Sequence, residues 1–347
     1  MYAFISSIRN YFFDNGLFKS SEFDLPIINV GNLAVGGSGK TPHIEYIIDL
    51  LSTEFNVAIL SRGYGRKTKG FREVFIDSLA SESGDEPLQI KQKFPDIKVF
   101  VGEDRVAAIP KLLFDYPEID VILLDDAYQH RAIKAGFNIL LTDYSKIFTR
   151  DKSMPFGRLR EYPKAANRSN LVVITKCPED SSTEEMDSLK AEVGNYTDSE
   201  LLFSSVKYDE PISYNNENTP NSIENILIIS ALANPNPMID YIQQKYKPSI
   251  IEHLEFRDHY NFTKKDISSF IEKFNSFAEQ NKVIFISEKD AIRLRAVTKN
   301  TAFENFEVYI LPIKVSFILE SEKIFNTQII NYVRENKTNS SIYSQAD

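Results

Sequence analysis

The densest concentration of chemistry in the sequence is Gly-Gly-Ser-Gly-Lys-Thr at 36–41, set between a β-branched run at 27–30 and an apolar helical pattern at 44–51. Strand, glycine-rich turn and helix in that order are the setting of a phosphate-binding loop. Glycines let successive backbone N–H groups turn towards phosphate oxygens, and the helix N-terminus adds partial positive charge. On this reading Gly36, Gly37, Ser38 and Gly39 cradle a nucleotide, Lys40 reaches its β and γ oxygens, and Thr41 ligates Mg²⁺. The usual spacing puts its first glycine at position 34, which is Ala34 here, small enough to fit. The plain alternative is a glycine-rich turn containing a chance Gly-Lys-Thr.

Such a loop needs an acid on the metal side. Val121-Ile-Leu-Leu-Asp125-Asp126 has the form of a Walker B strand, four apolar residues and then acid, with Asp125 as the metal-side carboxylate. A cap on the next turn is the structural alternative for Asp125. In Gly84-Asp85-Glu86-Pro87 one carboxylate could take a proton from an attacking hydroxyl, or could cap the helix that begins near Leu88; spacing alone does not separate the two. Arg62, Arg66, Lys67, Lys69 and Arg72 crowd eleven residues around Tyr64, either as a shaped anion-binding loop or as an ordinary solvated one. Of the four histidines, His130 lies in a polar motif beside Asp126, and His253 and His259 lie in another that includes Asp258.

These residues need a frame. Apolar runs at 27–30, 57–60, 74–76, 99–101, 121–124, 139–141 and 171–174 alternate with helical patterns at 44–51, from 88, and at about 104–114. That alternation predicts a mostly parallel sheet covered by helices, an α/β fold with a P-loop nucleotide-binding core. Strand runs resume at 226–229 and 283–286 after a polar stretch at 213–222, so the division expected is a helix at 1–20, a core at 21–212, a smaller C-terminal α/β domain at 213–335 and a flexible tail at 336–347. Phe4, Ile5, Ile8, Tyr11 and Phe12 fall at helical spacing, either as a face packed on the core or as one that touches a membrane.

Composition sets outer limits. With 40 Lys plus Arg against 49 Asp plus Glu, the net charge of −9 argues against a dedicated nucleic-acid binder, leaving room only for local basic patches. The single Cys177 cannot form an intramolecular disulfide, which points to a reducing cytoplasmic compartment. The N-terminal segment lacks a secretory pattern, and no run of 18 apolar residues exists to span a bilayer.

Taken together, GNLAVGGSGKTP, LSRGYGRK, SGDEP, VGEDRVAA, LLDDAYQHR, GRLREYP, VVITK, SALANP, EFRDHYNFT and ISEKDAIRL resemble, in order, the motifs of the tetraacyldisaccharide 4'-kinase family, the lipid A 4'-kinases. The resemblance runs over about residues 5–320. It implies transfer of the ATP γ-phosphate to the 4'-hydroxyl of an acylated glucosamine disaccharide 1-phosphate, giving lipid IVA, by a peripheral enzyme on the cytoplasmic face of the inner membrane. On matching positions it implies Asp85 as base, tuned by His259 from the second domain. Arg105, Arg160 and Glu161 would complete the phosphate and Mg²⁺ shell, with Glu161 on the metal, and Tyr64, Arg66, Gln129 and His130 would lie on the substrate side. Ala127-Tyr128 stands where the family more often has Gly-Phe, and Tyr260 replaces a second histidine. Spacing leaves open whether Arg158 or Arg160 meets phosphate. Two other readings stand beside this one: a P-loop GTPase/ATPase switch or metallochaperone, and a kinase of soluble small molecules. VVITK at 172–176 is similar to a guanine-reading motif, but Pro178 stands where that motif has aspartate.

Overall fold

The computed structural model describes residues 2–215, 223–277 and 281–337. Short β-branched runs buried on both faces form the central strands, as parallel strands under two helical layers require. The chain runs through α1 (Tyr2–Asp14), β1 (Ile27–Asn32), α2 (Lys40–Leu51), β2 (Val57–Ser61), β3 (Arg72–Glu73), α3 (Ala80–Ser83), α4 (Asp85–Lys93), β4 (Lys98–Val101) and α5 (Arg105–Asp115). It continues with β5 (Val121–Asp125), β6 (Phe137–Asp143), β7 (Leu171–Thr175), α6 (Thr183–Gly194) and β8 (Glu200–Tyr208). A second set follows: β9 (Ile212–Ser213), β10 (Asn225–Ser230), α7 (Asn236–Tyr246), β11 (Ile250–Glu255), α8 (Lys264–Asn275), β12 (Lys282–Ser287), α9 (Glu288–Thr298) and β13 (Val308–Leu311), before β14 (Ile313–Phe317) and α10 (Ser321–Asn336).

Two sheets result. The larger has the order β14-β8-β7-β6-β1-β5-β2-β4-β3, parallel except for its two edge strands. Strand β1 lies between β5 and β6, so the chain leaves it towards one side and later crosses to the other, which opens a crevice at the carboxyl ends of these strands. Ile44, Ile47, Ile48 and Leu51 of α2, Leu88 and Ile90 of α4, and Phe325, Ile329 and Val333 of α10 close one face. Helix α5 covers one half of the other face and α6 the rest. The smaller sheet has the order β11-β10-β12-β13-β9 with its own aromatic core around Phe262, Phe270 and Phe303.

The expected strand at 74–76 is absent; pairing with β4 occurs at Arg72–Glu73 instead. Val74 is buried, but Ser78 Oγ accepts from the Phe75 N–H and turns the chain outward, leaving Phe75 and Ile76 exposed. The smaller unit also ends before 335: β14 pairs antiparallel with β8, and α10 packs into the first core, so residues 313–336 belong with the larger sheet. Most of the polar stretch at 213–222 and almost all of the expected tail at 336–347 lie outside the described residues.

Helix α1 docks in an unusual sense. Ala3 and Ser6 are buried, Arg9 donates to the Gln129 carbonyl, and Asn10 donates to Glu161, so the small and polar side faces the protein. Phe4, Ile5, Ile8 and Tyr11 point outward. Among the described residues no helix is long and apolar enough to cross a membrane.

Candidate active site

The loop after β1 is built as its glycines require. Gly36 and Gly39 have φ of 112° and 80°, in the region that favours glycine. Asn32, at the end of β1, donates to Ser38 Oγ at 2.8 Å, and Thr175 of β7 donates to the Ser38 carbonyl at 3.0 Å. Gly39 is the N-cap of α2 and brings no side-chain cap, which leaves first-turn N–H groups for an anion. Ala34 forms an antiparallel bridge with Leu159; the Val35 N–H donates to the Arg158 carbonyl and the Arg160 N–H to the Leu33 carbonyl. This pairing carries Arg160 to the loop.

His43, one turn into α2, is buried and braces the same loop. Its Nδ1 donates to the Gly39 carbonyl at 2.7 Å, so its Nε2 accepts from Ser204 Oγ at 3.0 Å. Burial lowers its pKa to about 4, and the ring is neutral.

The two aspartates after β5 have different environments. Asp125 is buried, with Oδ2 accepting from Ser61 at 2.9 Å and Oδ1 without a partner. Burial, then the charges of Glu86 and Asp126, push its carboxyl up to about 7. Asp126 sits at φ 48°, which turns its side chain to Arg160 in a two-pronged contact at 2.8 and 3.2 Å and brings Lys40 Nζ to 3.8 Å. Burial alone would raise Asp126, but Lys40, Arg160 and Arg105 hold it below the usual carboxylate range. Arg160 also donates to the Asn32 side chain. Arg158 is engaged elsewhere, with Asp151 at 2.9 Å, so Arg160 is the one that joins Lys40.

Asp85 is the first residue of α4, but its side chain caps nothing; Gly84 is the N-cap, with no side-chain bond. The carboxylate instead accepts from Arg293 Nε of α9 at 2.7 Å, across the two sheets. His259 is beside it, with Nδ1 at 3.9 Å, beyond hydrogen-bond reach, and its ring meets the exposed Tyr64 edge-on at 5.9 Å between centroids. Glu86 pairs with Lys289 at 3.2 Å. Arg293 and Lys289 were missed by sequence reasoning, although both lie in ISEKDAIRL; nothing local marks them as neighbours of Asp85.

Arg105 is buried, and no carboxylate among the described residues forms an ion pair with it; its guanidinium donates only to the Glu103 carbonyl, at 3.3 Å. His130 lies nearby, its Nε2 buried without a partner. Burial, then the charge of Arg105, lowers its pKa to about 4, so it too is neutral. Gln129 donates to the Asn32 carbonyl at 2.9 Å.

Two expected site residues have protein partners of their own. Arg66 is folded inward: its side chain is 3% exposed, clamped to Glu103 at 2.6 Å and to the Gly70 carbonyl, and it braces its own loop. Glu161 is not grouped with Asp125 around a metal position. Its buried carboxylate accepts from Asn10, Gln129 and Arg168, a set that uses both oxygens. His253, on β11, contacts Ser230 Oγ at 2.8 Å and is structural.

A phosphate loop at the crevice of a mostly parallel sheet, with side chains of a second unit brought against the nearby Asp85 and Glu86, defines a P-loop nucleotide-dependent phosphotransferase. The chain belongs to the tetraacyldisaccharide-1-P 4'-kinase family, whose model matches residues 1–334. It is 41% identical over 353 residues to a tetraacyldisaccharide 4'-kinase of Bacteroides fragilis, covering 98% of this chain and 93% of that one. A Flavobacterium johnsoniae protein of the same name is 41% identical, at 97% and 95% coverage. The crystal structure of LpxK from Aquifex aeolicus in complex with ATP superposes with a TM-score of 0.71 at 26% identity, covering 96% of each chain. The fold and family expected from the motifs are therefore both found, and the switch or metallochaperone reading is set aside. Lys176, the lysine of the guanine-like motif, ties the Gly37 carbonyl to Asp143.

Proposed function

We propose that the chain transfers the γ-phosphate of ATP to the 4'-hydroxyl of tetraacyldisaccharide 1-phosphate, giving lipid IVA and ADP. The family match across residues 1–334 carries this reading, and the gathering of Lys40, Arg160, Asp126 and Asp125 at the phosphate loop supports it. Asp85 takes the proton of the attacking hydroxyl as the oxygen bonds to phosphorus and the β–γ bond breaks. A loose phosphoryl transition state asks for positioning and charge neutralisation more than covalent help, and Lys40, Arg105 and Arg160 provide cations around it. Tyr64, Gln129 and His130 contact the sugar.

Mg²⁺ fits the residues present. Asp125 offers one buried oxygen with no partner while Ser61 orients the other, and Thr41 is the second residue of α2, directly after the loop lysine. Thr41 and Asp125 would hold the ion with the phosphates, a small protein ligand set of the kind Mg²⁺ prefers, and it would supply charge neutralisation at the β and γ oxygens. The smaller sheet with its helices acts as a second domain, 313–336 being counted with the first, and its approach brings His259 and α9 to Asp85.

The enzyme is peripheral to the cytoplasmic face of the inner membrane. The outward Phe4, Ile5, Ile8 and Tyr11 of α1 support this, and an acylated substrate gives that face a purpose. The test is transfer of labelled γ-phosphate to purified tetraacyldisaccharide 1-phosphate. Labelled lipid is expected, and ATP hydrolysis with no lipid phosphorylation would overturn the reading.

A further inference from the structure

We propose that Arg293 is a positioning residue that keeps Asp85 ionised and dictates which ring nitrogen of His259 carries the proton; the proposal rests on the kinase reading with Asp85 as base. The Arg293 side chain is only 2% exposed. Its Nε donates to Asp85 Oδ2 at 2.7 Å, Nη2 to His259 Nδ1 at 3.1 Å and Nη1 to the Ala231 carbonyl at 3.4 Å. Asp290, one turn earlier on α9, is fully buried and sits 3.5 Å from Nη1. Asp290 is itself fixed by Ser287 Oγ at 2.6 Å and by the Ala231 N–H at 3.2 Å. One guanidinium thus joins the base on α4, the histidine before α8, and the end of β10.

The chemistry of a guanidinium decides the histidine's state. Guanidinium nitrogens only donate, so His259 Nδ1 presents its lone pair to Nη2. A neutral ring then carries its proton on Nε2; a protonated ring would set an N–H against the guanidinium. His259 therefore does not donate from Nδ1 to Asp85 in this arrangement, as the 3.9 Å separation also shows. Lys289 Nζ, 3.4 Å from Nε2, cannot donate to a nitrogen that already bears a proton, and its partner is Glu86 at 3.2 Å. Asp258 lies 3.9 Å from Nε2 on the accepting side, and Tyr64 covers the ring edge. Among the groups facing Asp85, namely Glu86, Lys289, Asp258, His259 and Arg293, the cation in direct contact is Arg293.

Burial alone would raise the Asp85 carboxyl, but the positive charges beside it, Arg293 in direct contact and Lys289 further off, help to hold it below the usual carboxylate range. Because Arg293 comes from the second sheet, the base is paired and oriented only when α9 lies against α4. The same two helices are fastened by Lys93 to Glu288 at 2.9 Å and by Arg295 to Gln92 at 3.2 Å.

The experiment compares kcat/KM against pH, with ATP and the disaccharide lipid, for the wild type, R293Q, R293K and K289M. The acid limb of R293Q is expected to move up by about one pH unit, that of R293K less, and that of K289M less than R293Q. An unmoved limb in R293Q, or an equal shift in K289M, overturns the proposal. A second readout needs no lipid: ¹⁵N NMR of histidine-labelled protein should show His259 with its proton on Nε2 in the wild type and a population carrying it on Nδ1 in R293Q. An unchanged His259 signal overturns the proposal. If R293Q does not fold, as circular dichroism will tell, R293K carries both arms with the same signs. Failure of the wild type to phosphorylate the lipid would strike the kinase reading, while the NMR comparison still judges Arg293.

Discussion

Asn10 of α1 donates to Glu161 at 2.5 Å, and through that carboxylate the first helix is joined to the phosphate loop. Glu161 also accepts from Gln129, Gln129 donates to the Asn32 carbonyl, and the Asn32 side chain holds Ser38. A helix whose apolar side is turned outward is thus linked by four side chains to the loop that receives the nucleotide.

Glu161→Ala leaves Arg168 without its carboxylate partner in a half-buried setting and releases Asn10. A loss of about 3 kcal/mol is expected, since removing one member of a buried pair strands the other. Denaturant unfolding measures it, and limited proteolysis should show cleavage after α1 appearing early. The Mg²⁺ concentration for half-maximal activity should stay unchanged; a large rise would return Glu161 to the metal.

Asp125 predicts a pH dependence of stability. Its folded pKa, about 7, lies above the unfolded value near 3.9, so between these the native state binds more protons than the unfolded one. The stabilisation is present below about pH 4 and is lost as pH rises through 7. Asp125→Asn removes this loss, so without Mg²⁺ its Tm should exceed that of the wild type by a few degrees at pH 8, with the gap closing towards pH 5. Glu45 is also raised to about 7 by burial and by Glu288, so only the difference between the two proteins isolates Asp125. Kinase turnover of the variant should fall steeply.

His43→Ala leaves the Gly39 carbonyl and Ser204 without the ring that joins them. About 2 kcal/mol of stability should be lost, and KM for ATP should rise about tenfold, as the loop loses its brace. His43→Asn keeps a donor near the position of Nδ1 and should recover most of the affinity. Steady-state kinetics and thermal melts check both variants.

The outward face of α1 can be tested without disturbing the fold. Ile5 and Ile8 are 60% and 43% exposed, so the double change to Asp should shift stability by less than about 0.5 kcal/mol. Flotation with liposomes should fall about tenfold or more, because two apolar side chains no longer enter the interface. Activity on detergent-dispersed lipid should persist.

The phosphate loop and the strands beside it were legible because their constraints are local. Glycine at positive φ, a buried β-branched run before it and a helical pattern after it all leave marks within fifteen residues. Arg293 left none: it meets Asp85 across 208 positions, and the basic side chain on an amphipathic helix reads as a solvated one. The Arg66 contact is hidden for a different reason, since a count of charges in a loop does not reveal which arm folds inward onto Glu103. Strand β14 was hidden by its position at an edge, where only Val315 and Phe317 are buried and the rest is half-open.

Tyr208 and Ile313 face each other in the β8–β14 pair, so the chain leaves the larger sheet and re-enters it at adjoining positions. The intervening hundred-odd residues therefore have the topology of an insertion with a two-stranded stalk. A stalk of two paired strands resists bending in the plane of its hydrogen bonds, so the smaller unit is held in that direction and least restrained out of it. The nine-stranded order, β14 and α10 included, needs nothing from the insertion, and a short turn joining Tyr208 to Ile313 would leave every strand of the larger sheet with its present neighbours. Such a shortened chain would keep the nucleotide loop and lose the arginine that orients Asp85.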